Sequence, residues 1–176
     1  AASIAQLNLA ARLKLLEEKI VHYVRDLLRF DNFEIRLLDR ESNQLELVIS
    51  EGISPLKVGE VLYAEPEGNG ISGYVAATGR SYVCPDVSQD PLYYEGLNDP
   101  GSSLTVPLRL HDRVIGVFNI EAHAVNVFSE KDRQFAEIFG WYIAMAMNIL
   151  DLLVVEHYTT NEQVAAVVLD ELGAPL

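Results

Sequence analysis

Two apolar, β-branched runs, LTVPLRL and VIGVFNI, flank the polar pair His111-Asp112 inside the stretch 102–121. Val, Ile, Phe and Thr suit a pleated, packed surface, and a short polar break between two such runs predicts a tight hairpin. Pro107 cannot donate to a ladder and Gly116 has no side chain to pack, so each marks an irregularity or a close approach. Because both runs are apolar almost throughout, the hairpin is expected at the centre of a sheet that is covered on both faces.

The other segments supply what such a hairpin needs around it. Residues 4–29 read as a helix, with Leu9, Leu13, Leu16, Ile20, Tyr23 and Leu27 spaced alternately by four and three. Val21, Val24 and Leu28 form a second strip. One strip can pack on the domain while the other meets a partner chain. NFEIRLLD and LELVIS read as a strand pair around a polar turn. Phe33, Ile35 and Leu37 then share one face and Arg36 takes the other. A buried arginine needs an acidic or anionic partner, and an arginine here more often reaches solvent.

Residues 52–59 read as loop and 61–64 as a short extended piece. GNGISGYVAATGR, residues 68–80, reads as a loop opening a short helix that ends on a glycine cap. The spacing of a phosphate-binding loop is absent there. SYVCP is a short strand, and 86–101 is a long polar loop with two adjacent tyrosines, Tyr93 and Tyr94. A loop this long is functional or mobile, and its tyrosines suit either a ligand cover or anchorage to the core. Ser129 is a good N-cap for a helix from Glu130 to about Tyr158, with Phe135, Phe139, Tyr142, Ala146, Ile149 and Leu153 at alternating spacing and Ile138, Trp141, Met145 and Leu152 beside them. At about 28 residues it would be about 42 Å long and would overhang unless another chain covers its far end. Residues 159–176 then hold a small amphipathic helix.

The chain has 176 residues, a net charge of -13 and one cysteine, Cys84. That length suits one domain with appendages. The acidity, without a basic stripe, argues against nucleic acid and against an anionic membrane surface. A single cysteine excludes an internal disulfide and paired-cysteine zinc sites, and a cytoplasmic setting is the simplest expectation.

GNGISGYVAATGR, SYVCPDVSQDPLYYEG and SSLTVPLRLHDRVIGVFNIEAHAVNVFSEKDRQF, in this order and spacing, closely resemble the GAF domain. The resemblance runs from about Leu15 to Leu153. It implies an α+β, profilin-like fold. A central antiparallel sheet of five or six strands would carry the N- and C-terminal helices together on one face, and the ligand pocket and short helices on the other. It divides the chain into an N-terminal helix (1–29), the GAF domain (30–158) and a linker or start of a downstream region (159–176). GAF domains are mostly regulatory, which implies an unidentified small-molecule ligand, a homodimer through the terminal helices and a downstream effector domain. The cyclic-nucleotide signature is incomplete, since Ile120 follows Asn119 and Arg133 follows Asp132, and Pro85-Asp86 after Cys84 is not a bilin attachment setting.

The candidate ligand-binding residues are Arg36, Tyr74, Cys84, Tyr93, Tyr94, Ser103, Thr105, Asn119 and Glu121. Polar side chains on the central hairpin can orient a ligand in an apolar pocket, but alternation alone leaves their register open. Cys84 reads either as a buried structural thiol or as a redox or metal sensor. His111 and His123 have no partner at metal-ligand spacing. With no Ser-His-Asp set, paired carboxylates or metal cluster in view, the expectation is a non-catalytic sensor. A ligand-free dimerisation module is the alternative. A thiol-dependent reductase resembling the methionine sulfoxide reductases of this fold is the third reading.

Overall fold

Period-two alternation and a few turn residues generate most of this molecule. The computed structural model describes residues 9–52, 61–93 and 100–148. Helix α1 (Leu9–Leu28) leads into strands β1 (Asn32–Leu38), β2 (Gln44–Glu51) and β3 (Leu62–Tyr63). Helix α2 (Gly70–Thr78), strand β4 (Tyr82–Cys84) and a turn of 3-10 helix at Val87–Gln89 follow. Strands β5 (Ser102–Leu110) and β6 (Arg113–Ala122) form the central hairpin. A third helix, α3, begins at residue 130 and is followed to 148. Residues 1–8, 53–60, 94–99 and 149–176 lie outside the described residues. So do Tyr94, the 52–59 loop beyond Gly52, the far end of the last helix and the expected helix in 159–176.

The sheet has six strands in the order β3-β2-β1-β6-β5-β4, every neighbouring pair antiparallel. The β5–β6 turn is the two residues His111 and Asp112, with Leu110 opposite Arg113. His111 takes a positive φ of 57°, a conformation usually left to glycine or asparagine. Seven consecutive residues of β5, Ser102–Leu108, are buried, as expected for a strand covered on both sides. Gly116 is required by a close approach: a Cβ there would lie 2.2 Å from the Arg36 carbonyl oxygen on β1. Pro107 lies beyond the end of β4, whose pairing covers only Ser103–Thr105, so no ladder bond to β4 is lost there.

One sheet face is mainly apolar and carries the main core. Phe33, Ile35, Leu104, Val106, Leu108, Phe118 and Ile120 meet Val24 and Leu28 of α1 and Ala136, Ile143, Ala144 and Met147 of α3. Both terminal helices therefore lie on this face. Phe30, Phe33, Phe118 and Phe139 follow one another at centroid distances of 5.6, 6.1 and 6.0 Å, all tilted or edge-on. Gly140 brings α3 close to β5, where a Cβ would stand 3.3 Å from Val106 Cγ2.

On α1, Val24 and Leu28 of the second strip are buried, whereas Leu27 of the alternating series is 59% exposed. Helix α3 buries a different stripe from the one that spacing favours. On α3 the buried stripe runs through Ala136, Gly140, Ile143, Ala144 and Met147. Ile138, Trp141 and Tyr142 are at least half exposed, and Trp141 and Tyr142 pack edge to face at 5.1 Å. Small residues win the inner face because they let the helix sit close to the sheet. Two Asp132 contacts start α3: its carboxylate accepts from the Ser129 amide at 2.7 Å and from the Ser129 hydroxyl at 2.5 Å.

Candidate functional site

The opposite sheet face is lined by polar side chains, and strand register decides which of them meet. Three rows cross the sheet. Cys84, Ser103, Glu121 and Asn32 form the first. Tyr82, Thr105, Asn119 and Glu34 form the second, and Pro107, Val117, Arg36 and Leu47 the third. The sequence could not fix this register. The pairing of Ser103 with Glu121 and of Thr105 with Asn119 is set by the two-residue turn at His111-Asp112 together with a one-residue register shift between Leu108 and Arg109.

These polar groups are buried, not rim groups. Glu34, Arg36, Ser103, Thr105, Asn119 and Glu121 are each no more than 6% exposed. Above them lie Ile71, Ser72 and Val75 of α2, the 3-10 turn with Val87, and Tyr93. Helix α2 is placed by its ends. Asn69 Oδ1 accepts from the Tyr63 amide at 2.9 Å. Gly79 closes the helix in the left-handed region, with φ 67° and its N–H on the Val75 carbonyl.

Two hydrogen-bonded groups stand side by side. In one, Arg36 Nε donates to Glu34 Oε2 at 3.1 Å and Nη1 to the Leu45 carbonyl at 3.3 Å. Ser72 Oγ donates to the other Glu34 oxygen at 3.4 Å. In the other, Thr105 Oγ1 donates to Asn119 Oδ1 at 2.7 Å, and Asn119 Nδ2 donates to Glu121 Oε1 at 3.3 Å. Arg36 does not reach solvent, contrary to the commoner expectation. A buried guanidinium beside a carboxylate needs no water, and Glu34 sits on the same face two residues earlier. Among the described residues this face holds two buried carboxylates, Glu34 and Glu121, against one buried guanidinium.

Cys84 closes the first row and is completely buried. Burial pushes its thiol up to about 12, and Asp90 adds to the effect. Ser103 acts weakly the other way, although its buried hydroxyl makes no hydrogen bond within ordinary limits to the described residues. Tyr82 is also pushed up to about 12, by burial and by donating its hydroxyl to Asp90 Oδ2 at 2.9 Å. Tyr74 packs edge-on against Tyr82 at 5.6 Å, and Tyr93 is half-buried against the same cluster. Of the nine candidate residues, Arg36, Cys84, Ser103, Thr105, Asn119 and Glu121 share this face. Tyr74 and Tyr93 pack over it, and Tyr94 lies outside the described residues. Glu34, Ser72, Tyr82 and Asp90 were missed. Glu34 alone carried a usable signal, its two-residue spacing from Arg36.

Among the described residues, no group of three or more metal-ligating side chains converges, and no helix is long and apolar enough to cross a membrane. His111 and His123 are exposed.

A family model described as the GAF domain matches residues 13–148. No curated protein gives a significant match. Among solved structures, the type II free methionine-R-sulfoxide reductase from Thermoplasma acidophilum is similar at 16% identity and TM-score 0.68, over 80% of this chain and 95% of that one. The free methionine-R-sulfoxide reductase from Neisseria meningitidis, in complex with its substrate, is similar at 20% identity and TM-score 0.67, over 80% of each chain. The GAF domain from an Acinetobacter phosphoenolpyruvate-protein phosphotransferase is similar at 22% identity and TM-score 0.64, over 81% of this chain and 94% of that one.

These likenesses correct the expectation that the chain is not an enzyme. The same fold carries reductases, so neither the fold nor a missing sequence triad excludes catalysis. The physical reason lies in the sheet: it assembles side chains such as Cys84, Ser103 and Glu121 from distant positions, and no linear spacing registers that. The match over 13–148 and the six-stranded sheet between helical layers give one assignment: the chain belongs to the GAF domain family.

Proposed function

We propose that this GAF domain binds a small polar molecule with a positively charged group, a primary amine or an amino acid, on the covered sheet face beneath the 86–101 segment. The domain would report occupancy to an attached effector through paired terminal helices. The observation that carries the reading is the polar lining of that face: the Glu34 and Glu121 carboxylates are buried beside Ser103, Thr105 and Asn119, under a cover of α2, Val87 and Tyr93. A covered face lined by carboxylates, hydroxyls and an amide favours a cationic group over an anionic one. Ser103 and Thr105, with Asn119, add hydroxyl and amide groups that can orient the ligand's other end. Substrate recognition by the Neisseria reductase, whose substrate is a free amino-acid derivative by its name, is consistent with this class. The test is a thermal-shift screen of the purified protein against amines and amino acids. A hit that stabilises the native protein and fails with Glu121→Gln supports the reading. Stabilisation only by anions, or equal stabilisation of the variant, would sink it.

A second reading rests on Cys84, a buried thiol within that face. It makes the domain a reductase in which a small sulfoxide and two thiols yield a sulfide, a disulfide and water. With one cysteine in the chain, the second thiol must come from an external dithiol. Loss of free methionine sulfoxide with dithiothreitol as reductant, absent in Cys84→Ser, is its signature. Equal rates in both proteins remove it.

A further inference from the structure

The binding face and the terminal helices lie on opposite sides of the sheet, so occupancy of one reaches the other only around or through it. Strand β4 is the place to look. It is an edge strand of three residues with β5 as its one neighbour, and so has fewer ladder bonds to resist displacement than any central strand. Its site-facing residues are Tyr82, bonded to Asp90, and Cys84. Its entry is Ser81, whose hydroxyl donates to Glu137 Oε1 on α3 at 2.5 Å. Glu137 is itself held by Arg133, which also grips Glu130 on the same helix. On the other side of Ser81, the α2–β4 connection is tied down by Arg109 Nη2, which donates to the Gly79 carbonyl at 2.6 Å. A shift of β4 therefore concentrates at Ser81 rather than dissipating into α2.

We propose that the Ser81–Glu137 hydrogen bond is the contact through which the state of the binding face is passed to α3. The proposal rests on the ligand-binding reading for what changes that state, but not for the coupling itself. A small displacement of β4 pulls on a carboxylate fixed to the helix surface by Arg133, and moves or frees the middle of α3. The same segment carries the exposed Ile138, Trp141 and Tyr142, so its position governs what that surface presents.

The test needs no ligand. Amide exchange of residues 130–148 is followed by mass spectrometry in the native protein, Tyr82→Phe, Ser81→Ala and the double variant. Tyr82→Phe cuts the tie between β4 and Asp90, and Asp90→Ala serves where that variant fails to fold. The expected result is several-fold faster exchange in 130–148 for Tyr82→Phe, with β1 peptides unchanged, and no further effect of Tyr82→Phe once Ser81 is Ala. Glu137→Ala must behave as Ser81→Ala does. An equal effect of Tyr82→Phe in both backgrounds, or none in either, overturns the proposal. Because no ligand enters the measurement, that failure would leave binding at Glu121 untouched and would be told apart from failure of the binding reading.

Discussion

Arg36 and Glu34 make a buried ion pair on the polar sheet face, with side chains 4% and 5% exposed. Removing one partner leaves a buried charge alone. Arg36→Leu should therefore lower stability in urea by about 3–5 kcal/mol, and adding Glu34→Leu should restore much of the loss. A double variant no better than the single would refute the pairing. Cys84 makes a second prediction. Its proton leaves near pH 9.0 in the unfolded chain and only at about 12 in the fold. Below pH 9 both states keep the proton, and the contribution to stability is whole. Between 9 and 12 only the unfolded chain ionises, so stability is lost as pH rises. Tyr82 acts alike from 10.0 to about 12. Melting temperature should fall from pH 9 upward, and in Cys84→Ala the fall should begin about one unit later, where Tyr82 takes over. Coincident profiles would contradict this. At this scale the sequence was only partly legible. Alternation put Arg36 on the right face, but whether it met solvent or Glu34 depended on α2 and Tyr93 covering that face from distant positions.

At the scale of elements, the β5–β6 hairpin organises the sheet, and its turn holds a backbone conformation that disfavours a side chain. His111 holds φ 57° where a Cβ is unfavourable. His111→Gly should stabilise the protein by about 1 kcal/mol, read as a raised melting temperature. Gly116→Ala should do the reverse, costing about 1–3 kcal/mol, because its Cβ would press on the Arg36 carbonyl. A neutral Gly116→Ala would mean that β1 and β6 are further apart than described. The hairpin, the α2 cap at Gly79 and the Ser129 start of α3 were all legible, since each depends on local chemistry. The inner stripe of α3 was not. Periodicity marks every apolar residue alike, and the small residues Ala136, Gly140 and Ala144 won the sheet side by closeness of approach.

For the whole molecule, four of the seven exposed large apolar side chains among the described residues, Leu27, Ile138, Trp141 and Tyr142, belong to the two helices that share the main core face. Under the proposed homodimer they are the seam. Trp141→Glu with Ile138→Glu should then convert the protein to monomer in sedimentation, with the fold intact by circular dichroism. An unchanged mass would place any interface elsewhere. The layer arrangement was legible from element order, because two strands read as apolar almost throughout belong at the centre of a covered sheet, and the polar side chains on their second face are buried all the same. The partners were not, because the charge complementarity proposed for the polar face depends on Glu34, Arg36 and Glu121 being brought together by strand register. Native mass spectrometry of the freshly purified protein, beside Glu121→Gln, tests that complementarity most directly. The account predicts a releasable small mass with a basic nitrogen on the native protein and its loss from the variant. A native protein that carries nothing and takes up no amine or amino acid on titration would contradict it.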